Sequence, residues 1–297
     1  MINSKYSKKN ILKIIFSTEF YSISIYIIYI AITKKIALKE CMHNFFPIIF
    51  NQYWFITYYC ILFFIIPYIN MLLKNLKKQE LEVGIIMFGV ILYIIPTITN
   101  NFYGLSKLIY LIYGYMLGGY VSLYKKKNIF NKYISKKIFL YVSILEITYI
   151  IILNIIATRN TKLQYFTTYL GGISKVTTII LALEIFCMCI NKSLKTNKYI
   201  NYIAKHTLAV YIITDNVFIR ELLWRHIFYE RNFNNIFFFI IYILISISLT
   251  FTMAIIIDIV KEKIVDKTLL KKYVDFIEKI FNNLRKNILK IKENSVE

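Results

Sequence analysis

The sequence predicts an all-α, polytopic integral membrane protein with about eight transmembrane helices. Its 297 residues are 58% hydrophobic, and the apolar residues form blocks of about twenty, the length that crosses a bilayer core of roughly 30 Å as a helix. These blocks are continuous rather than alternating, and the chain has only 8 Gly and 3 Pro. Neither a transmembrane β-barrel nor an all-β sandwich fits that pattern.

Eight apolar blocks predict the membrane-crossing helices in chain order. They cover residues 11–33, 52–73, 82–99, 104–123, 138–157, 169–190, 204–224 and 235–258. The seventh block is the least apolar. The first is too long for a secretory signal peptide and is not followed by a small-residue cleavage site, so we expect it to remain as a helix.

Lysine is concentrated in alternate connections, which predicts the orientation of the chain. The connections after the second, fourth and sixth blocks are basic, whereas residues 99–106 contain no Lys or Arg. Because basic connections stay on the cytoplasmic side, the Lys-rich N-terminus and C-terminus are both predicted to be cytoplasmic, as an even number of spans requires. Two predicted outer loops depart mildly from this rule, the first with Lys34, Lys35 and Lys39 and the last with Arg225 and Arg231.

Charge and apolar periodicity divide the chain into two parts. Residues 1–260 form the predicted membrane domain, and residues 261–297 form a basic tail whose apolar residues recur every three to four positions, as in an amphipathic helix. We expect the tail to lie on the anionic inner leaflet, with a specific partner-binding coil as the alternative. The net charge of +21 therefore predicts membrane lipids as partners and no nucleic acid.

Few residues have the types and spacing of catalytic or metal-binding groups. The four cysteines, Cys41, Cys60, Cys187 and Cys189, support neither a disulfide framework nor a metal site. The three histidines, His43, His206 and His226, are interpreted as solvated residues near the membrane interfaces. No Gly-rich phosphate loop or nucleophile elbow is present.

Three acidic residues fall inside apolar blocks, namely Glu19, Glu146 and Glu184. A charge inside the bilayer is costly, so each is expected to face protein or water. Pairing with Lys, Tyr or Thr on a neighbouring helix and lining a polar cavity are both open interpretations.

A polar and aromatic set at the predicted outer ends of the helices is the candidate substrate-binding site. Its members are Asn51, Trp54, Asp215, Asn216, Arg220 and Trp224. Amides, a carboxylate, a guanidinium and indoles are groups that bind sugar hydroxyls and ring faces. Interfacial Trp belts are also common to membrane proteins of every function, so a purely structural role is the alternative.

Three segments carry a resemblance to a known family. They read FNQYWFITYYCILFFIIPYINMLLKNL at 50–76, FYGLSKLIYLIYGYMLGGYV at 102–121 and INYIAKHTLAVYIITDNVFIRELLW at 200–224. In order and spacing they resemble the acyltransferase-3 family of bacterial membrane enzymes. The resemblance implies transfer of an acyl group from acyl-CoA, such as acetyl-CoA, to hydroxyls of cell-surface glycans during polysaccharide biosynthesis. It also implies a multi-pass protein of the cytoplasmic (inner) membrane.

The resemblance is incomplete at two places. The first span of this chain resembles the third helix of the family, which implies that the family's signature, an Arg and a His in its first helix, lies before residue 1. Thr214 also stands where relatives have a histidine before Asp215, and threonine is not a base near neutral pH. The chain by itself is therefore expected to be inactive, and its catalytic residues are left unassigned.

Two other functions remain open. The second hypothesis is a membrane protein without catalysis that binds a glycan or a lipid-linked sugar as the partner of a complete enzyme. A polysaccharide transporter or flippase is the third possibility, although the spans contain few Gly or Pro and no paired broken helices are visible.

Overall fold

A computed structural model describes residues 8–100, 106–124, 132–190, 196–229, 235–280 and 283. The described chain is predominantly helical, with no β-strand in those ranges. The prediction of an all-α protein is confirmed. The basic connection at 125–131, the N-terminal residues 1–7 and the tail residues 281, 282 and 284–297 lie outside the described residues.

Ten α-helices occur within the described ranges. They are α1 (Lys8–Thr33), α2 (Leu38–Phe45), α3 (Trp54–Asn75), α4 (Lys78–Thr99), α5 (Lys107–Tyr124), α6 (Lys132–Ala157), α7 (Val176–Ile190), α8 (Lys198–Asp215), α9 (Val217–Glu221) and α10 (Ile236–Lys261). Helix α4 contains a π-helical turn at Val90–Ile94, and two 3₁₀ turns, Thr161–Phe166 and Tyr169–Gly171, precede α7. Further π-helical turns follow α9 at Leu222–Ile227 and α10 at Glu262–Leu270.

Six segments of the described chain are long and apolar enough to cross a membrane. They are Lys9–Thr33, Trp54–Asn75, Lys78–Thr99, Ser135–Ala157, Lys162–Ile190 and Ile236–Ile280. These coincide with six of the predicted spans and support a polytopic membrane protein. The other two predicted spans, 104–123 and 204–224, coincide with α5 and with α8 and α9, so the count of eight and the orientation stay predictions.

The chain divides into two compact units, each with its own packing. Of the described residues, those between 58 and 190 form one unit, and those between 8 and 57 together with those from 196 onward form the other. In the first unit, α4 packs on α5, and α7 contacts both α5 and α6. Its core joins Leu62, Leu73 and Leu81 in one cluster and packs Tyr93 against Tyr113 in another.

In the second unit, α1 packs against α2 and α8, and α8 packs along α10. The Phe218 ring at the start of α9 stacks on Tyr29 with ring centroids 4.0 Å apart. A buried hydrogen bond joins α1 to α2, where the Ser22 hydroxyl donates to Asn44 Oδ1 at 3.1 Å. This unit holds all six residues of the predicted outer site.

The acidic residues inside the predicted spans have different surroundings. Glu19 accepts a hydrogen bond from the Tyr273 hydroxyl at 3.0 Å, which confirms pairing as its structural role. Glu184 is buried on α7, and among the described residues its Oε2 has no hydrogen-bond partner. Glu146 lies half-buried on α6.

The predicted tail continues α10 as a helix in the part that the structure describes. Helical structure runs without a break from Ile236 to Ile280. The Glu19–Tyr273 bond holds this extension against α1. Association of the tail with lipid stays a prediction.

Candidate functional site

The junction between α8 and α9 organises the predicted outer residues. Asp215 ends α8, and Asn216 adopts an extended conformation with φ −61° and ψ 133°, which breaks the helix. The Asn216 side chain then caps α9 by accepting a hydrogen bond from the Phe218 N–H at 3.1 Å. Its Nδ2 donates to the Tyr53 hydroxyl at 2.9 Å. Asn216 and Tyr53 are both fully buried.

Arg220 folds back from α9 toward the end of α8. Its Nη1 lies 3.5 Å from Asp215 Oδ1, and the two side chains remain 55% and 29% exposed. An exposed ion pair at this distance contributes little to stability. Both charged groups are therefore accessible for hydrogen bonding to a ligand.

The remaining outer residues make separate local contacts. Asn51 occupies a left-handed turn with φ 53°, and the next residue, Gln52, donates its N–H to Pro47 O at 2.9 Å. Trp54 is the first residue of α3, and its indole ring packs edge-to-face on the Phe55 ring with the ring centroids 5.9 Å apart. Trp224 is 44% exposed and contacts the Phe228 ring at 5.9 Å.

The structure thus brings together Asp215, Asn216 and Arg220, and adds Tyr53 to them. It shows no direct contact of Asn51 or Trp224 with these residues among those it describes. Tyr53 was not among the predicted site residues, and its position directly before Trp54 was the only sequence signal for it.

A second polar cluster lies where α8, α1 and the end of α10 meet. His206 on α8 is only 1% exposed, and its Nδ1 lies 2.6 Å from Asp258 Oδ2. The other carboxylate oxygen of Asp258 accepts a hydrogen bond from the Tyr21 hydroxyl at 2.6 Å. The interpretation of His206 as a solvated interfacial residue is therefore wrong, because neighbouring helices cover the imidazole.

A buried lysine completes this inner cluster. Lys261 is 4% exposed, and its Nζ donates to Ser17 Oγ at 2.8 Å and pairs with Asp266 at 2.9 Å. The ammonium group also lies 5.5 Å from the centroids of the Phe16 and Tyr21 rings. Hydrogen bonds, a carboxylate and aromatic faces together offset the cost of burying this charge.

A cavity of about 240 Å³ opens between these helices. Its wall consists of Asn10, Lys13, Ile14, Ser17, Tyr21, Lys205, Leu208, Ala209, Asp258, Lys261, Glu262 and Asp266. The wall combines three lysines with three carboxylates, and Lys205 is hydrogen-bonded to Glu262. We call this space the inner cavity.

His206 is not among the residues that line the inner cavity, although its neighbours are. The residue before it in sequence, Lys205, and the two carboxylates near its ring, Asp258 and Glu262, all line that wall. Its Nε2 is buried and has no hydrogen-bond partner among the described residues. Glu262 Oε2 lies 3.9 Å away, which is too long for a hydrogen bond.

Hydropathy alone did not identify the inner cluster. The available signals were Asp258 at the end of the last apolar block and Ser17 and Tyr21 within the first block. These positions are far apart in sequence, so their proximity required the helix packing. Within the described residues, no three His, Cys, Asp or Glu side chains are grouped to hold a metal ion.

Comparison with known proteins gives one match. A family model described as an acyltransferase domain matches residues 2–255, which cover most of the chain and contain the outer residues and His206. No curated protein matches significantly, and neither does any solved structure.

Proposed function

We propose, because the chain belongs to the acyltransferase-3 family of membrane acyltransferases, that it transfers an acyl group from acyl-CoA to a hydroxyl of a glycan. The observation that carries this proposal is the family match over residues 2–255, on a chain with six membrane-length apolar segments in its described part. The acceptor is a cell-surface glycan or a lipid-linked sugar, and the site of action is the cytoplasmic (inner) membrane.

The inner cavity supports acyl-CoA as the donor. Under the predicted orientation, the start of α1 and the end of α10 lie on the cytoplasmic side, where acyl-CoA is found. Lys13, Lys205 and Lys261 line the cavity beside three carboxylates, and an ammonium group can donate a hydrogen bond to the carbonyl oxygen of a thioester. A volume of about 240 Å³ suits the acyl-thioester end of the donor, while the nucleotide end remains outside.

The outer residues support a sugar acceptor. Asp215 and Arg220 present a carboxylate acceptor and a guanidinium donor that remain exposed. Trp54 and Trp224 supply indole faces of the kind that stack on sugar rings, and Asn51 adds an exposed amide. Asn216 is fully buried, so its part is to hold the α8–α9 junction that carries the charged pair.

The experiment is reconstitution of the purified full chain in lipid nanodiscs with radiolabelled acetyl-CoA, propionyl-CoA or succinyl-CoA and a membrane glycolipid fraction. We expect protein-dependent release of free CoA together with label in the glycolipid. Arg220→Ala and Asp215→Ala should lower transfer at least several-fold by weakening acceptor binding. Arg225→Ala is the matched control, because it removes an equivalent exposed pair, that with Glu221 at 3.0 Å.

Two outcomes would contradict the proposal. Binding of glycolipid without any consumption of the thioesters would favour the non-catalytic binding protein. Equal losses of transfer in Arg220→Ala and Arg225→Ala would show that the outer residues do not form the acceptor site.

A further inference from the structure

The helix that continues α10 has two chemically different faces. We call residues 262–280, which extend α10 without a break, the tail helix. We propose that the outward face of the tail helix binds the headgroups of anionic phospholipids, and that this contact holds the inward face in place as a wall of the inner cavity. The inference goes beyond the proposed acyl transfer and does not depend on it.

The inward face supplies carboxylates to the inner cavity. Glu262 and Asp266 both line that cavity. Glu262 pairs with Lys205 of α8, and Asp266 pairs with the buried Lys261 at 2.9 Å. The wall therefore depends on the tail helix, because its removal would leave two lysines of the cavity without these carboxylates.

Tyr273 holds the same face against α1 two turns further along. Its hydroxyl donates to Glu19 at 3.0 Å, and its ring lies 5.2 Å from the Phe16 ring between centroids. Both contacts are made by one side chain of the tail helix. A second attachment, on the outward face, would add to the stability of this arrangement.

The outward face is basic. All five lysines of the tail helix are exposed, namely Lys263, Lys267, Lys271, Lys272 and Lys279. The first three follow at intervals of four residues, which places them along one side of a helix. Asp275 is the only exposed carboxylate between residues 262 and 280. Such a surface complements the negative charge of the phospholipid headgroups of the cytoplasmic leaflet.

Large apolar side chains are exposed among these lysines. Ile264 is 65% exposed, Leu269 is 50% exposed and Phe276 is 62% exposed. Lysines beside exposed Ile, Leu and Phe are typical of a helix that lies at the boundary between headgroups and acyl chains. Under the predicted orientation the tail helix begins at the cytoplasmic end of α10, so the inner leaflet is the nearest surface with both properties.

The two faces are coupled because they belong to one helix. Lipids that hold the lysines at the bilayer surface also hold Glu262 and Asp266 beside their partners in the cavity wall. Without anionic lipid, lysines four residues apart repel one another, and the tail helix separates from α1 more often. Separation would expose Ala209, which lines the cavity and is only 3% exposed.

The first measurement follows the tail helix in the full chain, reconstituted in nanodiscs of phosphatidylcholine with or without phosphatidylglycerol. A fluorophore is attached at Thr268→Cys, an exposed neutral position, with Cys41 and Cys189 replaced by serine. Cys60 and Cys187 are buried and are retained. We expect headgroup spin-labelled lipid to quench this fluorophore several-fold more strongly when phosphatidylglycerol is present, and high salt to reduce the difference.

A matched pair of triple variants tests the role of the lysines. The first combines Lys263→Gln, Lys267→Gln and Lys271→Gln, and the second combines Lys34→Gln, Lys35→Gln and Lys39→Gln, at three exposed lysines of another connection. Both remove the same charge. We expect the tail variant to lose the effect of phosphatidylglycerol on quenching and the control to keep it.

The second measurement reports on the cavity wall. We expect Ala209→Cys to react with a small maleimide several-fold more slowly when phosphatidylglycerol is present, and equally fast in both lipids when combined with the tail variant. Quenching that does not respond to phosphatidylglycerol, or that responds equally in both triple variants, would overturn the lipid site. Reactivity of Ala209→Cys that is independent of lipid in the otherwise wild-type chain would overturn the coupling to the cavity. Neither measurement requires acyl transfer, so each outcome is separate from that of the activity assay.

Discussion

Lys175 illustrates at the level of one residue how a buried charge is stabilised in this chain. Its side chain is 2% exposed, and Nζ donates to Pro96 O at 2.9 Å and to Asn100 Oδ1 at 3.2 Å. The ammonium also lies 3.5 Å from the centroid of the Tyr169 ring. It thereby satisfies carbonyl groups at the C-terminal end of α4, where a helix dipole favours a positive charge.

Lys175→Met is expected to destabilise the protein by roughly 1–3 kcal/mol, the range for hydrogen bonds to charged groups. The substitution roughly keeps the length of the side chain and removes both hydrogen bonds of the ammonium group, whereas Pro96 O still accepts from the Asn100 N–H at 3.1 Å. Thermal unfolding can be followed with a thiol-reactive dye, because Cys60 and Cys187 are free and buried. Lys162→Met, at an exposed position, is the control, and an equal shift in both variants would contradict the argument.

Asn216 combines two roles that can be measured separately. Asn216→Ala removes both the cap of α9 and the buried bond to Tyr53, so we expect a loss of about 2–3 kcal/mol. Asn235→Ala removes only an exposed cap, the bond from Phe237 N–H at 2.8 Å, and should cost about 1 kcal/mol.

A double-mutant cycle completes this prediction for Asn216. Tyr53→Phe added to Asn216→Ala should cost less than Tyr53→Phe added to the wild type, because the partner is already gone. Additive losses in the dye assay would show that the buried bond contributes nothing.

At the scale of elements, α4 adapts its winding to a proline. Pro96 lacks an N–H and its ring would collide with a carbonyl one turn earlier in a regular helix. The π-helical turn at Val90–Ile94 precedes it, and the Ile95 N–H donates to Val90 O. The wider turn moves the backbone before Pro96, so the helix continues to Thr99 without a break.

Two glycines of α4 give opposite predictions for the same substitution. A Cβ at Gly89 would lie 2.7 Å from the Tyr113 hydroxyl oxygen, whereas a Cβ at Gly84 has no atom within 4 Å. Gly89→Ala should destabilise the protein by about 1–3 kcal/mol through overpacking. Gly84→Ala should be neutral or stabilising by up to about 1 kcal/mol, because alanine favours the helix. The dye assay measures both.

Tyr113→Phe tests the cause of the Gly89 effect. Without the hydroxyl, the nearest ring carbon lies 3.6 Å from the new Cβ, which is ordinary contact. The variant Gly89→Ala with Tyr113→Phe should therefore be less destabilised than the sum of the two single changes. A strictly additive result would point to a cause other than this contact.

At the scale of the whole molecule, apolar blocks located the helices but not their ends. The third predicted span began at residue 82 and the fifth at 138, whereas α4 begins at Lys78 and α6 at Lys132. Lysines at helix ends extend their charged groups toward water, so a helix continues beyond the residues that hydropathy selects. The length of each apolar core was therefore predictable, and the charged first turns were not.

The candidate site was less predictable because it depends on which helices are neighbours. Asp215 and Asn216 were identified as polar residues at a helix end, but Tyr53, the hydrogen-bond partner of Asn216, is 163 positions away. The pairing of His206 with Asp258 spans 52 positions. Composition and hydrophobic periodicity define the faces of single helices. Contacts between distant residues depend on which helices pack together, and that cannot be read from a single sequence.

The orientation of the chain in the membrane is the remaining prediction at this scale. It depends on whether α5 and α8 cross the membrane. These two helices coincide with the predicted spans that are not among the six most apolar segments of the described chain. Single cysteines can be introduced at exposed positions on either side of each helix, with Cys41 and Cys189 replaced by serine. Cys60 and Cys187 are buried and can be retained.

We expect a membrane-impermeant maleimide to label Ser106→Cys and His226→Cys in intact cells, and to label Lys137→Cys and Lys198→Cys only after permeabilisation. Opposite accessibility of Ser106→Cys and Lys137→Cys requires that α5 crosses the membrane, because only α5 and one connection lie between Ser106 and the start of α6. The same comparison for Lys198→Cys and His226→Cys applies to α8 and α9. Labelling of both members of a pair from the same side would show that the helix between them does not cross the membrane. With one span fewer, the N-terminus and C-terminus would lie on opposite sides. The lysine distribution argues against that arrangement, since basic residues are dense at both termini and favour the cytoplasm.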